Sequence, residues 1–167
     1  TSPSHNVAIG NEAARLTTSG KDNVAVGRES GYSGTTHSGS VYIGEQAGYS
    51  VTTGNQNIAI GHNAINGGTT TGDNNIAIGA DAGDALTSGY NNVLMGPNAG
   101  GAITTGYNNV AIGPQGVGDA ITDGTHNILV GSNNCGGAIN SGAKNVAMGG
   151  SALEQITTGD GNIAIGY

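Results

Sequence analysis

The chain has 167 residues, 33 of them glycine, with no tryptophan or phenylalanine and only 9% charged residues. Its net charge is −7 and its only cations are Arg15, Lys21, Arg28 and Lys144, so no basic stripe exists to neutralise phosphates and a nucleic-acid partner is not expected. No apolar run approaches the ~18 residues of a membrane span, so no membrane insertion is expected, and glycine does not fall at every third position as a collagen helix requires.

One phrase, Asn-(Val/Ile)-small-(Ile/Val/Met)-Gly, recurs ten times, starting at Asn6, Asn23, Ser40, Asn57, Asn75, Asn92, Asn109, Asn127, Asn145 and Asn162. The steps between starts are 17 or 18 residues. A fixed short period marks a repeat architecture in which each unit stacks on the next. Residues 1–167 therefore read as a single repeat domain. No capping unit is visible at either end, so the chain is expected to be a fragment of a longer fibre.

Each unit opens on two β-branched or long apolar residues spaced by two, from Val7 and Ile9 in the first copy to Ile163 and Ile165 in the last. That spacing predicts a short strand with both large side chains on one face. An unvarying glycine follows (Gly10, Gly27, Gly44, Gly61 and onward), which reads as a corner with positive φ or no room for a Cβ. Then comes Ala-Gly in several copies, and a second apolar site at Leu16, Val51, Leu86, Ile103, Ile121, Ile139 and Ile156. Threonines and a second corner glycine complete the unit. Two short strands and two corners per coil are expected, with the asparagines and the threonines forming ladders along the axis. Helix is excluded, because each glycine inside one costs about 1 kcal/mol.

Between the two large residues of each strand lies a third column: Ala8, Ala25, Tyr42, Ala59, Ala77, Leu94, Ala111, Leu129, Ala147 and Ala164. It points opposite to the Val and Ile side chains. A strand apolar on both faces is buried on both. With Val and Ile assigned to the interior of the coil, the alanine column is expected to meet sister chains, which makes it the oligomer interface of a homo-oligomer.

The repeated Asn-Val-Ala-Ile-Gly followed by Ala-Gly resembles the head repeats of YadA-like trimeric adhesins. The form Thr-Thr-Gly-Tyr-Asn-Asn-Val-Ala-Ile-Gly at Thr104 to Gly113 is similar to repeats in the tail fibres of tailed bacteriophages. The resemblance covers essentially the whole chain. It implies an all-β, left-handed parallel β-roll or β-solenoid of ten 17–18-residue coils, with three chains intertwined or side by side around one axis. It also implies that Val and Ile fill each roll while the small residue approaches a neighbour. The unit is longer than the adhesin head repeat, which places extra residues in outer loops.

No catalytic set is recognisable, and no cofactor or metal is expected. His5, His37, His62 and His126 share no column and no metal-ligand spacing, and are expected to be solvated loop residues. Carboxylates scatter over the corners, and the Gly-Gly-Xaa-Gly-Xaa-Asp calcium repeat is missing. Cys135 is the sole cysteine, so no intrachain disulfide forms; it reads as a small loop residue, or as one that meets its own copies in a trimer. The expected function is non-catalytic: a shaft or receptor-binding segment of a trimeric tail fibre, located in the virion. The alternative is a bacterial surface adhesin or extracellular filament. Beyond itself, the expected partner is a host-cell surface glycan or protein, with Tyr32, Tyr49, Tyr90 and Tyr107 as candidate contacts. An ice-binding solenoid is disfavoured, because adjacent threonines face opposite sides and only one rank can meet water.

Overall fold

A computed structural model describes residues 4–114 and 116–167. The strands are β1 (Val7–Ile9), β2 (Val24–Val26), β3 (Val41–Ile43), β4 (Ile58–Ile60), β5 (Ile76–Ile78), β6 (Val93–Met95), β7 (Val110–Ile112), β8 (Ile128–Ser132), β9 (Val146–Gly150) and β10 (Ile163–Ile165). They form one parallel sheet in sequence order, β1 to β10. Each strand pairs with the next in strict register, so Val41 lies on Ile58, Tyr42 on Ala59 and Ile43 on Ile60. Parallel neighbours in chain order require one full circuit of backbone between them, which makes the chain an all-β solenoid. The phrase that repeats in sequence is thus the strand that repeats in space.

Among the described residues, the second strand predicted for each coil does not form. Val51 and Thr70 share only an isolated bridge. The second apolar site sits instead in a turn, where Leu86 N–H donates to the Gly83 carbonyl at 3.1 Å and Ile103 N–H to Gly100 at 3.0 Å. The left-handed residues just before it, at Gly83 (φ 58°) and Gly100 (φ 61°), are incompatible with an extended strand. The threonine ladder does form: Thr87 N–H and Oγ1 both donate to the Thr104 carbonyl, each at 3.0 Å. Thr104 Oγ1 donates in turn to the Thr122 carbonyl at 3.1 Å. These hydroxyls are bonded along the stack.

The asparagine column is a buried amide ladder. Asn92 Nδ2 donates to Asn75 Oδ1 at 3.0 Å and to the Gly106 carbonyl at 2.9 Å. Its own Oδ1 accepts from Asn109 N–H at 3.0 Å and Asn109 Nδ2 at 3.2 Å. The same pattern runs from Asn75 to Asn145, all 0% exposed. Just before each ladder residue the backbone is left-handed, as at Asp22 (φ 58°), Asn74 (φ 59°), Asn91 (φ 56°) and Lys144 (φ 60°). That bend turns the chain from the loop edge into the strand.

The interior is built from three inward ranks. The first is the mid-strand column, with Ala59, Ala77, Leu94, Ala111 and Leu129 all 0% exposed. The second is the alanine rank after the corner (Ala47, Ala64, Ala82, Ala99), and the third is the second apolar site (Val51, Leu86, Ile103, Ile121, Ile139). Cys135 takes an alanine-rank position, buried, with its thiol directed at the Ala147 carbonyl at 3.6 Å. Burial raises its pKa. An inward thiol cannot meet a copy of itself on another chain. In the first coil Leu16 is 45% exposed; Thr17, with its Oγ1 buried, stands three residues before the corner Gly20, where later coils place Val51 and Leu86.

Large and small residues compensate across the interior. A Cβ at Gly48 would lie 2.8 Å from Tyr42 Cγ, and one at Gly83 would lie 2.7 Å from Leu94 Cδ1. Where the mid-strand residues on both sides are alanines (Ala59 and Ala77), the same left-handed position carries Ile65, 0% exposed at φ 52°. Packing at this density forces the exchange of volume between columns.

The third coil departs most from the pattern. Tyr42 replaces alanine, Ser40 replaces the ladder asparagine and His37 replaces the corner glycine. Gly34 makes room for the imidazole, and the His37 and Tyr42 rings lie 5.4 Å apart. His37 is therefore not solvated; it is 1% exposed. Burial alone lowers its pKa from 6.5 to about 4. The unfolded chain binds this proton at higher pH than the folded one, so the stability associated with neutral His37 is complete above about pH 6.5 and falls as pH drops toward 4. Up to ~3 kcal/mol is lost over that window. Denaturant titrations of wild type and His37→Gly at pH 7 and pH 4 check this: the wild type loses more than the variant.

Candidate functional site

The Val and Ile ranks that flank the mid-strand column lie on the outer face of the sheet. Val24, Val26, Ile58, Ile60, Ile76 and Ile78 are half-buried, and Ile43 and Ile128 are 39% and 45% exposed. The two faces are thus the reverse of the sequence expectation. The column expected at the oligomer interface is inside the chain's own coil: Ala25, Tyr42, Ala59, Ala77, Leu94, Ala111, Leu129 and Ala147 are 0–1% exposed in the single chain. Only Ala8 and Ala164, in the two end coils, are less covered. The physical reason is width. Turns close each coil so tightly that methyl groups fill it, and larger groups enter only where glycines make room. The β-branched side chains are left to point outward, as two unbroken apolar ranks that carry no charge from β1 to β10.

The four candidate tyrosines form two separate pairs. Tyr32 and Tyr49 stack with centroids 4.9 Å apart and planes at 10°. The Arg15 guanidinium lies 5.7 Å over the Tyr32 ring and donates to Tyr32 Oη at 3.1 Å. Glu12 first, then Tyr32, raises the Arg15 pKa. Tyr90 and Tyr107 stack at 4.7 Å and 3°, and His126 meets Tyr107 edge-on at 5.5 Å. The first pair follows the strand corner, whereas the second stands two residues before the asparagine ladder, so the structure does not join all four into one surface.

Charged groups sit on the outer corners. Arg28 pairs with Glu29 at 3.0 Å and with Glu45 one coil on. Its hydrogen bond to Glu45 holds that carboxylate below its ordinary pKa. Asp84 is raised by partial burial, and further by Asp81 and Asp119. Among the described residues, no group of three or more His, Cys, Asp or Glu side chains is placed to hold a metal ion. No helix among them is long and apolar enough to cross a membrane. No protein-family model, curated protein or solved structure matches this chain.

What the geometry offers is a long patterned surface. One long side is apolar, and the edges carry stacked aromatic and hydrogen-bonding side chains. Sequence reasoning misses the outward direction of Val and Ile. The signal that reveals it is the inverse size relation between Tyr42, Leu94 and Leu129 and the glycines flanking them.

Proposed function

We propose that this chain is a structural and adhesive segment: a non-catalytic shaft or receptor-binding part of a homotrimeric bacteriophage tail fibre, displayed on the virion. In this reading the coils are left-handed, as the resemblance implies, and three chains share one axis. The observation that carries it is the outer face of β1–β10 with its two apolar ranks. Ten strands of three or more residues give a flat footprint of roughly 10 by 43 Å, or ~430 Å², the size of the largest apolar patch on a typical monomer, which is often functional. A second copy of the same face is its natural complement, since both are uncharged and share the same ~4.8 Å period. Two ranks on a narrow sheet suit two neighbours around a threefold axis. The stacked tyrosines on the edges remain accessible for a host surface ligand, most simply a glycan.

Light scattering tests the assembly. The expected mass is that of three chains of 16.2 kDa. Replacing Ile60 and Ile78 together by aspartate is expected to yield monomers, because a desolvated unpaired carboxylate on an apolar interface costs several kcal/mol. A wild-type chain that stays monomeric across a concentration series overturns the proposal.

A further inference from the structure

One edge of the stack carries a column formed by the residue two positions before each ladder residue, which includes Lys21, Ser38, Asn55, Asp73, Tyr90 and Tyr107 in successive coils. Its members are linked. Ser38 N–H donates to Asn55 Oδ1 at 2.9 Å, and Asn55 N–H and Nδ2 donate to Asp73 Oδ1 at 2.6 and 3.3 Å. Asn91 N–H donates to the Asp73 carbonyl at 3.0 Å, which seats the Tyr90 coil directly on the Asp73 coil. Beside this column runs the left-handed one, and it has a gap. Gly39 stands between Asp22 and Gln56, and a cavity open to solvent lies there, lined by Asp22, Ser38, Gly39, Asn55, Gln56 and Asp73. Tyr107 covers one face of Tyr90. Among the described residues no second aromatic ring stacks on Tyr90, the Asp73 carboxylate accepts from Asn55, and Tyr90 is 40% exposed.

We infer that the Gly39 notch and the exposed Tyr90 ring farther along the same edge form one subsite for a neutral, linear oligosaccharide. This deepens the adhesive reading and rests on it. An exposed tyrosine ring offers apolar surface to the C–H groups of a pyranose, while carboxylates accept from its hydroxyls and amides both accept from and donate to them. Lys21 stands one coil from Ser38 in the same column, but the two aspartates that line the notch and the net charge of −7 outweigh it and disfavour an anionic sugar. Three coil steps separate Ser38 from Tyr90, a span of ~14 Å that suits a chain of sugars rather than a single ring.

The test titrates the full chain with neutral linear tetrasaccharides of gluco, manno and galacto configuration, and with sialyllactose as the anionic comparator. Tyrosine fluorescence and NMR shifts report binding. At least one neutral tetrasaccharide is expected to bind with a Kd of about 1 mM or tighter. Gly39→Asn, which fills the notch with a residue that tolerates the left-handed backbone, weakens it by about tenfold or more. So does Tyr90→Thr, for which Thr125 is the native precedent in the same column. Both variants are expected to keep the wild-type mass and thermal midpoint. No response to any neutral tetrasaccharide at about 10 mM, preference for sialyllactose, or binding that survives both substitutions overturns the inference. Loss of sugar binding with an intact trimer removes this subsite alone; sugar binding by a monomer removes the shaft alone.

Discussion

Gly61→Ala lowers stability by about 4 kcal/mol or more, while Gly166→Ala costs only about 1–2 kcal/mol. The two glycines have nearly the same backbone, φ 131° and 129°. They differ in what lies above them. A Cβ on Gly61 would stand 2.5 Å from the Gly79 carbonyl oxygen and 2.6 Å from its carbon, whereas nothing lies within 4 Å of one on Gly166. Backbone cannot swing aside as a flexible side chain can, so the alanine must push adjacent coils away from each other at a point where Gly61 N–H is bonded to Ile43 O at 2.8 Å. The Gly166 variant reports the left-handed penalty alone, and the difference between the two isolates the stacking contact. Chemical denaturation of both variants beside the wild type measures it. Equal losses would mean that the corner glycine is selected by its dihedral angles and not by the coil above.

Asn92→Ala is expected to cost about 4 kcal/mol, more than an ordinary surface asparagine by an order of magnitude. The substitution strips partners from the Asn109 backbone N–H, from one Asn109 Nδ2 hydrogen and from the Gly106 carbonyl, in a column that is fully buried. Each orphaned buried group costs about 1–3 kcal/mol. Asn92→Ser is expected to lose roughly half as much. The third coil supplies the precedent, because Ser40 Oγ accepts from Asn57 N–H at 3.2 Å and satisfies that one donor. Thermal melts of the two variants, ranked Ser above Ala, check the gradation. A neutral Asn92→Ala would show that the ladder is ornamental to stability.

The strand positions, their parallel order and the asparagine ladder are legible because each rests on a residue repeated at fixed spacing. Facing is not. The rule that large side chains go inside presumes an interior wide enough to hold them, and a coil of 17 or 18 residues with two sharp corners has none to spare. The column that varies between alanine and leucine is the interior one, because only there does a change of volume demand an answer elsewhere: Gly83 and Gly100 beside Leu94, Gly118 and Gly136 beside Leu129, Ile65 where both neighbours are alanine. His37 reads as a loop residue when counted as a histidine, and as an interior one only when seen as the occupant of the corner-glycine column, with Gly34 giving way to it. The tyrosine pairs are legible as outward aromatics. Their companion notch is not, because it depends on Gly39 sitting alongside Asn55 and Asp73, residues that neighbour it only after one and two full circuits of the chain.

The strict in-register pairing of every strand with the next has a bearing on length. Each coil makes its bonds to the coil before and the coil after, so excising or duplicating one period keeps the backbone seam, provided that the inner residues brought together still match in volume. Such a molecule is a ruler marked in steps of ~4.8 Å. Insertion or loss of a whole period changes its reach and leaves the strand pairing as it is.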